Sequence, residues 1–281
     1  MAMRHNGFVA FILTHGRPDR VLTYEKLRKH GYTGKIYIVC DDEDKTLPEY
    51  RKRFGDVLVF SKSEIAKTFD EGDNFGDRRA IIYARNACFE LARQIGATHF
   101  IELDDDYTYF KFRFDDQLRW HGADVQDLDA VFDMLLDYFN SAPMLTLAIG
   151  QGGDYIGGEK ATRFKPMRKA MNSFICSVDR PFQFVGRINE DVNTYVLLGS
   201  RGGVFLSILQ IGLDQLETQS NSGGMTELYL DAGTYVKSFY TVMYCPSCVV
   251  VSAMGTAHRR LHHHIKWRYA VPKILRESVK K

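Results

Sequence analysis

The sequence predicts an α/β fold, with a Rossmann-type, mainly parallel sheet, helices on both faces and a smaller mixed half. Three observations predict it. Short apolar runs alternate with helix-like stretches through the first half of the chain. One stretch before residue 96 has strong helical periodicity. Polar clusters at residues 14–17, 41–44 and 104–106 fall where three strands would end, which is where open α/β sheets place their ligands.

The elements follow in order. Gly7 to Leu13 is an apolar run ending in Thr14-His15-Gly16-Arg17-Pro18. Pro18 presets φ for a helix start, so a helix is expected over Asp19 to Lys29, closed by Gly31. Lys35 to Cys40 is the second strand and runs into Asp41-Asp42-Glu43-Asp44. Pro48 to Phe54 reads as helix, Val57 to Phe60 as a short strand, Ser63 to Phe69 as the segment after it, and polar Asp70 to Gly76 as a loop. From Asp77 to Ile95, the residues Ile81, Ala84, Cys88, Leu91 and Ile95 recur at steps of three and four, one apolar helix face. Asp77 is the expected N-cap. Thr98 to Leu103 is a strand leading into Asp104-Asp105-Asp106, and Tyr107 to Phe114 alternates aromatics around Lys111 and Arg113.

The second half is less regular. Leu128, Val131, Phe132, Leu135 and Phe139 mark a helix. Leu145–Ile149, Ser173–Val178, Val204–Ile211 and Cys248–Val251 read as strands between glycine-rich loops. With no internal repeat and no linker, residues 1–281 read as one domain with halves at 1–125 and 126–281.

At 281 residues and 45% apolar composition the chain is long and apolar enough for a full core. No apolar run approaches the ~20 residues that span a bilayer, and no membrane association is expected. Met1 to His5 leads into the first strand without the plan of a secretory signal, so a cytoplasmic location is expected. Five scattered cysteines fit a reducing compartment. Cys245-Pro-Ser-Cys248 has CxxC spacing but no second pair, and reads as buried or turn cysteines before a zinc or redox site. Net charge is only +2, yet residues 258–281 hold eight Lys/Arg and four His against the single acid Glu277. Such a segment reads either as a phosphate contact or as a solvated tail.

Three consecutive carboxylates at a strand end repel one another. A hard divalent cation relieves this, and Asp104 and Asp106, alternate in an extended segment, can share one. The plain alternative is an acidic surface turn. Arg78, Arg79 and Arg85 near the start of the long helix suit a diphosphate, with Arg78 and Arg85 expected on one side of it; the alternative is a charged outer face. Asp41 and Asp42 are placed to accept hydrogen bonds from a nucleoside, with Thr14 and Arg17 at the neighbouring strand end. Glu190 or Asp191 can take a proton from an acceptor hydroxyl, or simply be acids at a helix N-terminus. His258 and His262 would share a face if helical, and one histidine of this group (His262 and His263 included) can complete a metal shell. Lys266, Trp267, Arg268 and Tyr269 can pair with and stack on a nucleotide or an extruded base. No GxGxxG loop follows the first strand and no P-loop is present, which argues against NAD enzymes and P-loop ATPases.

In order, Phe11-Ile12-Leu13-Thr14-His15-Gly16-Arg17-Pro18, Ile38-Val39-Cys40-Asp41-Asp42, Ala84-Arg85-Asn86, Asp104-Asp105-Asp106 and Glu190-Asp191 resemble the GT-A glycosyltransferases. Gly34 to Val39, Gly72 to Phe75, Asp104 to Tyr107, Gly186 to Asp191, Arg260 to His263 and Val271 to Ile274 resemble, more closely, the TET-associated glycosyltransferases of bacteriophages. The likeness spans essentially the whole chain, although His15-Gly16 stands where the family usually has a Tyr-Asn-like pair.

The resemblance implies a GT-A-like fold with a nucleotide-sugar half and an acceptor half. It implies a nucleotide-sugar donor (a UDP-sugar), Mn²⁺ or Mg²⁺, a 5-hydroxymethylpyrimidine of DNA (hydroxymethylcytosine) as acceptor, and a host's cytoplasm as the location. It assigns metal binding to Asp104 and Asp106, the nucleoside to Asp41 and Asp42, the diphosphate to Arg78 and Arg85, and the catalytic base to Asp191. The donor-side set also takes in Thr14, Arg17 and Asp105; Glu190 stands beside the base, and Lys266, Trp267 and Arg268 face the acceptor. The rival readings are a glycosyltransferase acting on a polysaccharide or lipid, a non-catalytic DNA-binding module and a sugar nucleotidyltransferase. The last would want a lysine in a glycine-rich first loop, which Gly16-Arg17 matches poorly.

Overall fold

A computed structural model describes residues 3–117, 119–151, 170–171, 173–216, 236–254 and 260–271. Strand β1 (Phe8–Leu13) is buried at every position, as a central strand covered on both faces must be. Its alternate residues divide the core. Val9, Phe11 and Leu13 join one apolar cluster; Phe8, Ala10 and Ile12 join the other.

Around β1 lie β2 (Lys35–Asp41), β3 (Val57–Phe60) and β4 (His99–Asp104), all parallel, in the order β3-β2-β1-β4. This is the Rossmann-type part. The nine-stranded sheet then continues through β8 (Ser173–Ser177), β7 (Met144–Gln151), β9 (Val204–Gln215), β5 (Tyr107–Phe114) and β6 (Trp120–Asp124). Here the pairing is mixed: β8 is antiparallel to both β4 and β7, β7 and β9 are parallel, and β5 is antiparallel to β9 and β6. The unbroken parallel run is therefore β3-β2-β1-β4, and the rest of the sheet is mixed, with β7 and β9 its one parallel pair among the described residues. Strands β5 and β6 come before residue 125 but sit at the far edge, beyond strands of the second half. The two sequence halves thus share one sheet and interleave.

Helices cover both faces. On one, α1 (Leu22–Lys29), α2 (Leu47–Phe54) and α5 (Leu128–Ser141) contribute Leu27, Tyr50 and the Leu128, Val131, Phe132, Leu135 and Phe139 stripe. Asp127 caps α5 by accepting the Ala130 N–H. The other face holds α4 (Ile82–Gln94) and α6 (Glu190–Ser200). A short helix α3 (Lys62–Ala66), helical residues 236–244 (α7) and α8 (Trp267–Ala270) complete the described helices. Strands β10 (Val249–Met254) and β11 (Arg260–Ile265) form a separate antiparallel pair. No helix among the described residues is long and apolar enough to cross a membrane.

Three expectations are corrected. The first helix begins at Leu22, not after Pro18. The long helix begins at Ile82, and Asp77 does not cap it; the Asp77 carboxylate is taken by Arg79 at 2.8 Å and lies 3.7 Å from Arg187. Arg78 therefore precedes the helix and shares no helix face with Arg85. Finally, residues 260–265 are a strand, so His262 is not on a helix face, and its expected partner His258 lies outside the described residues. Pairing with β10 stabilises the extended form of this histidine run.

Candidate active site

The register of the sheet assembles the site. Leu13 pairs with Val39 on one side and with Asp104 on the other, which brings Thr14, Asp41 and Asp105 to the same sheet end. Helix α1 grips the turn between β4 and β5: the Thr23 hydroxyl donates to Asp104 O at 2.6 Å and accepts the Tyr107 N–H, while the Thr23 N–H reaches Asp105 O.

The three aspartates then diverge. Asp105 is buried, accepting Thr14 Oγ1 at 2.6 Å and Arg17 Nη2 at 3.0 Å. It orders the first loop, helped by Tyr50, whose hydroxyl lies 2.9 Å from Thr14 Oγ1 and accepts the Arg17 N–H. Asp106 Oδ1 is buried with no hydrogen-bond partner. Asp104 leaves 21% of its side chain exposed and meets Arg85 at 3.2 Å. Burial raises the pKa of all three, with mutual repulsion adding at Asp104 and Asp105; Asp104 reaches about 7 despite Arg85.

Arg85 is the hub. Only 1% exposed, its guanidinium faces Glu102 at 3.5 Å, Asp104 at 3.2 Å and Glu190 at 3.3 Å, and lies over the rings of Phe174 and Phe184 at 4.8 and 5.8 Å. One fixed positive charge thus faces three carboxylates. Burial pushes Glu102 to about 8 and, with Asp191, Glu190 to about 7, in both cases against the pull of Arg85. Arg85 is sealed among these acids, whereas Arg78 is half-buried with its Nε unpartnered.

The other wall is the start of α6. Asn189 takes a left-handed backbone (φ 57°), and its side-chain amide lies 3.5 Å from His263 Nδ1. Asp191 is buried and accepts the Val192 N–H at 2.7 Å. The loop before it is tied to α4 by Asn86, whose side-chain amide both donates to Phe184 O (3.0 Å) and accepts the Phe184 N–H (2.8 Å). Asn86→Ala is expected to cost about 1–3 kcal/mol by stranding both backbone groups, measured as a shift in urea midpoint at unchanged slope. An unchanged midpoint would show that the loop holds without this clamp.

Around Asp41 lies a second ion-paired cluster. His15 Nδ1 lies 2.7 Å from Asp41 Oδ2, and buried Lys62 lies 2.9 Å from Asp41 Oδ1. The hydrogen bond to Asp41 raises the His15 pKa; burial pushes Asp41 up, but His15 and Lys62 hold it below its ordinary value. Asp42 is exposed and accepts the Lys62 N–H, while buried Asp44 accepts the Gly16 N–H.

After β11, Lys266 and Arg268 are exposed, and the Trp267 indole stacks on Tyr195 of α6 at 5.8 Å, so one indole face is already covered. Among the described residues no three or more His, Cys, Asp or Glu side chains converge as a metal cluster, so neither His262 nor His263 joins Asp104 and Asp106 in one. Cys245 and Cys248 are free, buried and 3.1 Å apart.

A model of the TET-associated glycosyltransferases matches residues 8–224, from the start of β1 past the end of β9. The chain belongs to that family. It is therefore a glycosyltransferase, and the matched span contains the sheet, Arg85, the three aspartates and Glu190-Asp191. No curated protein matches the chain. Three residues of this candidate site were not singled out from the sequence: Glu102, Lys62 and Tyr50. Glu102 carried one available signal, a lone acid inside the apolar strand run before Asp104. Lys62 and Tyr50 carried none, because their partners are distant in sequence.

Proposed function

We propose that the chain transfers a sugar from a nucleotide-sugar, a UDP-sugar, to the hydroxyl of a 5-hydroxymethylpyrimidine in DNA, hydroxymethylcytosine, within a GT-A-like arrangement. The observation that carries the donor side is the excess of buried carboxylate around Arg85. Two negative charges remain uncompensated if Glu102, Asp104 and Glu190 all ionise, and Asp106 Oδ1 is buried without a partner. These are hard oxygen donors, which suit Mn²⁺ or Mg²⁺ held by one or two carboxylates plus substrate phosphate. Asp104 and Asp106 would hold the ion, which when bound neutralises diphosphate charge as the glycosidic bond breaks.

Arg85 holds Asp104 and Glu190 in place from behind. Asp41, Asp42 and the Thr14–Arg17 loop receive the nucleoside, and Arg78 is the arginine left to meet the diphosphate. Asp191 takes the acceptor proton, with Glu190 anchoring its helix turn to Arg85. An acceptor base in duplex DNA has to leave the stack to reach this recessed strand end, and exposed Lys266 and Arg268 offer phosphate contacts beside it.

The test is a panel of nucleotide-sugars with hydroxymethylcytosine DNA and Mn²⁺ or Mg²⁺, read by the mass of the released nucleosides. A hexose or pentose increment is expected. Transfer only to a glycan or lipid acceptor, with DNA untouched, would replace the acceptor assignment. Asp191→Asn is expected to lower kcat roughly 10³-fold, within the range for a lost acid–base group, with the donor dissociation constant unchanged. An active Asp191→Asn beside an inactive Glu190→Gln would move the base to Glu190.

A further inference from the structure

Helix α1 ends in a basic turn, Lys26, Arg28 and Lys29. Cations in a last turn complement the helix dipole, and by themselves would need no further role. Two of them, however, converge on one ring. Lys26 Nζ and Lys29 Nζ lie 5.5 and 5.6 Å from the centroid of Tyr109, on the neighbouring strand β5. Lys26 and Lys29 are three apart and so lie on one face of the helix.

Among the described residues neither ammonium has a carboxylate partner, whereas Lys111 on the same strand is ion-paired with Asp214. Tyr109 is 40% exposed and Phe112 beyond it 39%. The one ring holds two like charges near it, and among the described residues both lack a carboxylate partner, an arrangement that favours an anion with more than one charged oxygen.

The patch is physically continuous with the site. Thr23, on the same helix, grips the backbone at Asp104 and Tyr107. Six residues of helix separate Thr23 from Lys29, about 9 Å at the usual rise. Backbone phosphates of one strand recur roughly every 3.4 Å of duplex axis. A strand entering the site would therefore pass the lysines outside the reacting base, within a few nucleotides of it.

We infer that Lys26 and Lys29, ordered by Tyr109, form a backbone-phosphate contact for the acceptor strand on the α1–β5 face. This rests on the proposed DNA acceptor and extends it to a footprint outside the reacting base. The partner is a polyanionic strand read through its phosphates, so the contact supplies affinity without base sequence preference.

The experiment compares wild type with Lys26→Ala/Lys29→Ala on hydroxymethylcytosine oligonucleotides. One set extends a single nucleotide on either side of the modified base; the other extends ten. On the long set KM is expected to rise about tenfold with kcat unchanged, and the slope of log affinity against log salt to become shallower by about 1–2 for two lost phosphate contacts. On the short set the variant is expected to match wild type. Equal thermal midpoints confirm that the variant folds, and Tyr109→Leu is expected to reproduce part of the KM rise with both charges present.

A wild type that glycosylates DNA while the variant keeps the same KM and salt slope on long substrates overturns this contact alone. So does an equal loss on both substrate lengths. A wild type with donor turnover but no affinity for DNA overturns the acceptor reading, and this contact with it; an acidic protein that then competes for Lys26 and Lys29 would identify the partner instead.

Discussion

Asp104→Asn is expected to abolish sugar transfer, by roughly 10³-fold or more if it removes the main electrostatic contact to the donor, while leaving the protein as stable or more stable. The second half of that expectation is the informative one. Asp104 is a carboxylate that the fold holds at a cost: burial, Asp106 and Asp105 carry it to about 7, against Arg85 alone. Its folded value lies above its unfolded value of about 4. A raised carboxylate binds its proton more tightly in the folded state, so folding stability falls as pH climbs from about 4 through about 7, and is least affected below that window.

The amide does not titrate. In chelator, the variant should therefore gain on wild type as pH rises from 5 to 8, and differ little near pH 4. Measuring the difference between the two proteins cancels groups such as Asp41, whose lowered value acts in the opposite direction. Mn²⁺ with nucleotide should raise the wild-type midpoint, because binding to the folded state alone stabilises it, and should do little for the variant. A variant that keeps full transfer would remove Asp104 from the donor site. One that is much less stable than wild type at pH 8 would show that its pair with Arg85 outweighs the repulsion.

Arg85→Met is expected to be the most destabilising single change in the site, by about 3–5 kcal/mol, the usual result of stripping the partner from buried charges. Methionine retains much of the apolar stem that packs beneath the guanidinium, so the loss reports on charge more than on volume. What remains is Glu102, Asp104 and Glu190 without a counter-ion, in a pocket walled by Phe174 and Phe184. The loss should be larger at pH 8 than at pH 5.5. Glu102 at about 8 and Glu190 at about 7 already hold protons at the lower pH, and losing Arg85 raises both further. Adding Glu102→Gln should recover part of the stability without restoring transfer, because Asp104 and Glu190 remain unanchored. Chemical unfolding of the single and double variants decides this; an Arg85→Met protein as stable as wild type at pH 8 would mean that the acids relax into solvent.

The element order was legible because it rests on local periodicity. β1 is a run buried on both sides, α5 carries a three-and-four apolar stripe, and both remain where pattern alone places them. The strand-end clusters were equally legible, since a parallel sheet gathers its loops at one end whatever the side chains are. Boundaries were less so. Asp77 has the chemistry of an N-cap, and Pro18 that of a helix start, but Asp77 pairs with its neighbour Arg79 and faces distant Arg187, and both helices start further toward the C-terminus. The histidine run at 262–264 reads equally as helix or strand until its partner strand is known.

By itself the sequence determined the alternation of strands and helices, the acidic tip at residues 104–106 and the likeness to a glycosyltransferase family. Only the tertiary structure decided that Arg85 turns inward to three acids, that Lys62 lies against Asp41, and that Lys26 and Lys29 meet on Tyr109. The reason is one of range. Backbone periodicity is written into residues two to four apart, whereas charge compensation joins distant groups such as Arg85 and Glu190, 105 positions apart. Sheet register and burial choose those partners, and a charge has a definite role only once the low-dielectric surroundings that make its pairing matter have been built.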